Sequence, residues 1–83
     1  MKYDDDKIIQ KLRKIAEKSG IMVAEFPGHH FQLLGEDSIV NFWPFSKRKT
    51  AYGALIGTHR HVTLQGAVDL ACEEQRRMKE MKS

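Results

Sequence analysis

Four histidines, one cysteine and two groups of basic residues are the parts of this 83-residue chain that can carry chemistry. His29 and His30 adjoin in "PGHH", and His59 and His61 alternate in "THRH". An imidazole titrates near neutral pH, so it can move protons or ligate a metal. On an extended segment His59 and His61 could place two rings together, with His29 or His30 as a third donor. No carboxylate or cysteine pair completes such a set at a familiar spacing, so no metal and no other cofactor is expected. Cys72 falls near the apolar stripe of a helical pattern and reads as a packed thiol rather than a nucleophile. With no second cysteine there is no internal disulfide, which suits a reducing cytoplasm. The chain also lacks a phosphate-binding glycine loop and any Ser–His–Asp pattern that a sequence can reveal.

The basic residues point elsewhere. At ~100° per residue, Lys7, Lys11, Lys14 and Lys18 fall in one narrow sector of a helix, with no acid among them. Lys47, Arg48 and Lys49 follow Ser46 in "FWPFSKRKTAYG", between Trp43, Phe45 and Tyr52, and Arg60 stands between two histidines. Two readings compete. The lysines can be a solvated flank whose stems cover the core edge, and the tetrapeptide a hairpin corner in water. Alternatively, both grip a polyanion, with Trp43, Phe45 or Tyr52 stacking on unpaired bases. A formal charge of +3 is too small to decide by itself. A domain this small also needs aromatic rings inside, and Phe42 and Tyr52 are expected there.

The elements that must position these groups follow from periodicity. Ile8, Ile9, Leu12, Ile15 and Ala16 predict a helix over residues 5–19, with Asp4 as cap, Asp4 to Asp6 at the positive end of the dipole and Gly20 as the C′ residue. Residues 21–26, 30–34 and 39–43 read as strands, separated by "PGHH" and "GEDS" turns. Short turns give an antiparallel meander, with Val40 and Phe42 on one face and Phe31 and Leu33 as a further inward pair. Residues 50–56 are either a fourth strand paired with the third or a covering loop, since Gly53 and Gly57 weaken both readings. A second helix runs from Leu64 to about Met81, capped by Thr63, with Leu64, Ala67, Val68, Ala71 and Met78 as its apolar stripe. The chain is thus expected to be a single α+β domain over 1–83, ordered α-β-β-β-(β)-α, with both helices on one face of the sheet. No signal peptide is expected from the charged start, and no apolar run approaches the ~20 residues of a membrane span.

"PGHHF", after an amphipathic helix and one strand and at the start of a second, resembles the turn of HicA-type toxins, small ribonucleases with a double-stranded-RNA-binding-domain-like fold. "VNFWP" loosely matches their Val-x-Val-Pro strand end and "VTLQGA" their Gly-Thr-Leu helix start. The resemblance implies that fold, a catalytic role for His29 with His30 beside it, RNA as substrate and an antitoxin as partner. This chain departs in having Pro27-Gly28 where the family has serine, and in about eighteen residues between Pro44 and the last helix. "IVNFWPFSKRK" also resembles the Asp-Phe-Trp-Pro segment of small phage and prophage proteins of unassigned function, with Asn41 in the aspartate's place. "HVTL" carries one His-x-Thr-hydrophobic unit like those of two-histidine phosphoesterases, which need two copies and a longer chain.

The residues and resemblances together give one leading expectation. It is a small phage-type nucleic-acid-binding protein, RNA favoured, in the host cytoplasm, which binds through Lys7, Lys11, Lys14, Lys18, His30, Lys47, Arg48, Lys49 and Arg60 and cuts, if at all, through His29. The alternatives are a non-catalytic accessory protein that modulates a host protein, and a small domain that works as a homo-oligomer.

Overall fold

The computed structural model describes residues 2–82, and side chains from residue 5 onward. Helix α1 spans Lys2–Lys18 and helix α2 Leu64–Lys82. Between them lie β1 (Met22–Phe26), β2 (His30–Leu34), β3 (Ile39–Phe42), β4 (Ala51–Gly53) and β5 (Gly57–His59). The five strands form one antiparallel sheet in chain order.

The expected α+β layout is observed, with residues 50–56 resolved in favour of a strand. β4 pairs with β3, Asn41 opposite Tyr52, and a further strand, β5, folds back on β4 with Tyr52 opposite Thr58. Strands of three residues between glycines leave too little alternation to read.

Alternation sorts the sheet into two faces. Phe31, Leu33, Val40, Phe42 and Ala51 point to one side and are fully buried, together with Leu12 and Ala16 of α1 and Ala67, Val68 and Ala71 of α2. Both helices therefore cover the same face. The predicted inward pairs are all in this core. Tyr52 is not: it sits between Ala51 and Gly53, which point inward, so its ring faces the open side and is 47% exposed. This corrects the expectation of a core tyrosine. Phe45 packs partly buried against the core and Cys72 does likewise, as a packed thiol would.

Local chemistry fixes the helix ends. α1 closes as a Schellman turn: Ile21 N donates to Ala16 O (2.9 Å), Gly20 N to Glu17 O (3.1 Å), and Gly20 takes φ +72°. Its start departs from the expectation, because Asp4 lies within the helix rather than before it and so is not the N-cap. α2 begins as predicted, with the Thr63 hydroxyl accepting from Gly66 N at 2.9 Å. Thr63→Ala should cost about 1 kcal/mol, which thermal melting would register as a fall of roughly 4–8 °C. No change in melting temperature would mean that the cap does not hold this helix.

The two ends of the sheet differ. At one end are the β2–β3 and β4–β5 turns, and α2 ties both. Gln75 Oε1 accepts from Glu36 N (2.8 Å), and Glu74, 1% exposed, accepts from Leu55 N and Ile56 N, each 3.0 Å from its Oε1. Lys79 and Lys82 pair with Glu36 and Asp37 at the same end. The other end carries the β1–β2 turn (27–29), the β3–β4 loop (43–50), the β5–α2 link (60–63) and the starts of both helices. No helix among the described residues is long and apolar enough to cross a membrane.

Candidate functional site

The second end gathers the residues that the sequence marks as chemical. The β3–β4 loop is a built corner: Trp43 N donates to Thr50 O (2.9 Å), Ser46 N and Oγ both approach Trp43 O (3.3 and 2.9 Å), and Lys49 N donates to Ser46 O (3.2 Å). The link to α2 is laced alongside, with His61 N on Arg48 O (2.6 Å) and Val62 N on Lys49 O (3.1 Å). Lys47, Arg48, Lys49 and Arg60 thus share one exposed rim.

On the open side of the sheet next to that rim lies an aromatic row. The His30 ring stacks on Trp43, centroids 4.7 Å apart and planes 8° from parallel, and Phe26 lies 5.5 Å beyond it. The register explains the row: Phe26 pairs with His30, and continuing the β2–β3 pairing by one residue brings Trp43 opposite. Asn41 locks the imidazole, with its Oδ1 2.8 Å from His30 Nε2 and 3.2 Å from Gln32 Nε2. With an amide oxygen as acceptor, this bond is made by the Nε2–H tautomer of His30. Trp43 also lines a shallow groove of about 470 Å³ with Ser46, Lys47, Arg48 and Thr50, where a flat ring and two cations meet. Tyr52 follows on the same face, across from Asn41.

Charge pairing sharpens the contrast between the ends. On α2, Arg76 and Arg77 are bound to Glu73, which also holds the Glu73 carboxyl below its usual range through hydrogen bonds from Arg77 and Arg76. By contrast, Lys11, Lys14, Lys18, Lys47, Arg48, Lys49 and Arg60 are exposed and have no ion pair among the described residues. Lys7 is exposed too. Asp6, exposed near the start of α1, is an acid at the corner end.

The sequence-predicted residues are only partly brought together. His29 sits exposed in the β1–β2 turn with φ +56°, its ring edge-on to Phe45 at 4.8 Å, so it adjoins the corner. It makes no side-chain hydrogen bond among the described residues. The α1 lysines do not join the aromatic row, because α1 covers the opposite face of the sheet. Lys7 is near the corner, one residue from Ile8, which shares a cavity with Pro44 and Lys49. Lys18 lies ~16 Å further along the helix, at the far end. The histidines do not converge: His59 Nε2 is committed to Ile56 O (3.0 Å), and no three His, Cys, Asp or Glu side chains cluster as metal donors among the described residues.

Sequence reasoning missed the Gln32–Asn41–His30 network and the buried Glu74. Alternation contained the first, since His30, Gln32, Asn41 and Trp43 occupy outward positions. No family model, curated protein or solved structure matches the chain.

Proposed function

We propose that this chain is a small nucleic-acid-binding protein whose ligand is single-stranded RNA, held on the open face of the sheet at its corner end. The observation that carries this reading is the His30–Trp43 stack bordering the Lys47–Arg48 groove. Aromatic rings on a solvent-facing sheet offer flat surfaces to unstacked bases, which a duplex keeps paired, while adjacent cations follow the phosphates. Lys11, Lys14 and Lys18 of α1, which have no ion pair among the described residues, add attraction for the flanking backbone, although they face another side.

His29 is the catalytic candidate under the same reading, as in a HicA-like endoribonuclease acting with an antitoxin in the cytoplasm. RNA carries its own nucleophile in the 2′-OH, and one imidazole can take that proton without metal. His29→Ala should then abolish cleavage and leave binding and melting temperature unchanged. Cleavage by that variant at the original rate removes His29 from the mechanism.

The whole reading is tested by titrating the protein with single-stranded RNA, duplex RNA and DNA at two salt concentrations. Single-stranded RNA should bind tightest, and its affinity should fall steeply with salt. Weak, salt-insensitive binding of all three ends the proposal. One observation favours the alternative, an accessory protein that modulates a protein partner. At the tied end of the open face, Met22 (72% exposed) and Ile39 (50%) flank the half-buried Leu34 in register, an apolar row on which no described element packs.

A further inference from the structure

On the helix side of the corner loop, opposite the Trp43 groove, there is a separate cavity. It holds about 300 Å³ and is lined by apolar residues from five places: Ile8 of α1, Phe42 at the end of β3, Pro44 in the loop, Val62 of the β5–α2 link and Leu64 at the start of α2. Lys49 and His61 are its basic lining residues, and none of its lining residues among the described ones is acidic. Its volume is at the lower end of the ~300–1,000 Å³ typical of small-molecule pockets. An apolar enclosure with a few convergent polar groups is the usual form of such sites.

We propose that this cavity binds a small organic anion with an apolar body, an aryl- or branched alkyl-carboxylate. The body would replace water against Ile8, Phe42, Pro44 and Leu64, and the carboxylate would meet Lys49 and His61. Charge complementarity selects the anion. Neither the Lys49 nor the His61 side chain has a hydrogen bond or ion pair among the described residues, so both are free to pair with a carboxylate. The remaining polar lining group, the Thr63 hydroxyl, is already engaged by Gly66 N. The site is pre-formed: the bonds from His61 N to Arg48 O and from Val62 N to Lys49 O hold its two basic lips together. Pre-formation spares the ligand the entropy of ordering those loops. This site uses neither the open face nor the aromatic row and shares only Lys49 with the basic rim.

The test is an amide chemical-shift titration of the whole chain with phenylacetate, 4-methylpentanoate, the neutral isostere phenylacetamide and inorganic phosphate. The two carboxylates should give saturable shifts at Ile8, Lys49, His61 and Leu64, and phenylacetamide should bind at least about tenfold weaker, the worth of one charge-assisted contact. Lys49→Gln with His61→Gln should erase the preference for the acid over the amide, and Ile8→Trp, by filling the cavity, should remove binding of both. Equal binding of acid and amide, shifts centred elsewhere, or phosphate acting as strongly as phenylacetate would each overturn the proposal. Thermal melts check that the variants fold. If a variant does not, the comparison of acid with amide on the unmodified chain decides alone.

Discussion

Glu74→Ala should cost about 3–5 kcal/mol, the largest stability loss expected from a single change outside the apolar core. The side chain is buried beneath the β4–β5 turn, where its carboxylate accepts from Leu55 N and Ile56 N. Truncation leaves two half-buried N–H groups without their acceptor, at ~1–3 kcal/mol each, and opens a void. A domain of this size has only about 4–12 kcal/mol in total, so the melting temperature should fall by well over 10 °C. Glu74→Gln keeps an acceptor oxygen in the same shape and should lose roughly 1–2 kcal/mol, because neutral hydrogen bonds are weaker than charge-assisted ones.

Gly53 provides an internal control. A Cβ there would meet Glu74 Oε1 at 2.6 Å and Ile56 Cγ1 at 2.8 Å. Gly53→Ala should therefore destabilise the native chain more than it destabilises the Glu74→Ala variant, where one of the two clashes is gone. Urea unfolding of the four proteins gives the coupling energy. Additive effects, or a Glu74→Ala cost under about 1 kcal/mol, would show that this carboxylate is not the fastening of the hairpin.

These two residues mark where the sequence was readable and where it was not. Periodicity is a statement about neighbours in a regular element, so it located α1, α2 and the inward set Phe31, Leu33, Val40 and Phe42. Glu74 stands three residues after Ala71 and four before Met78, on the apolar stripe itself. The position was visible, but a glutamate there reads as an interruption until a partner is known, and its partners are backbone amides of a turn nineteen residues away. Gly53 and Gly57 leave β4 ambiguous with a loop and conceal β5: small residues are required beside Glu74 and at a positive φ of 77°, and they remove the side chains that alternation needs. Composition argues for a buried Tyr52 ring, whereas the assembled sheet turns Ala51 and Gly53 inward and so puts Tyr52 on the outer face.

The candidate site shows the same division. The corner "SKRK" after Pro44 and the turn "PGHH" are legible as turns because proline fixes φ and glycine permits positive φ. The His30–Trp43 contact depends on the pairing register of β2 and β3, which only the assembled sheet fixes. That register also separates what sequence could not: it places the aromatic row on the face opposite α1, so the lysine stripe and the stacking rings address different sides.

Two substitutions with different signatures follow from that separation. Trp43→Ala should weaken single-stranded RNA binding by roughly ten- to hundredfold, since stacking on an aromatic ring is worth ~1–3 kcal/mol per base. The salt dependence should stay the same, because no charge is lost. Trp43→Phe keeps a flat ring and should recover most of the affinity. The fold should survive, because Trp43 is only half-buried and its backbone bond to Thr50 remains. Replacing Lys47, Arg48 and Lys49 together with Gln should do the reverse. Each phosphate contact contributes about 0.7 to the slope of log affinity against log salt for a single strand, so up to about two units of slope should vanish while stacking persists. Removing Lys11, Lys14 and Lys18 instead should change the slope less, as α1 lies behind the sheet. Filter-binding or fluorescence titrations at several salt concentrations separate the cases. An unchanged affinity in the Trp43→Ala protein would mean that the stacked pair is only a way of covering the sheet. A slope that responds to the α1 lysines more than to the corner would move the polyanion to the helical side of the molecule and take the open face out of the site.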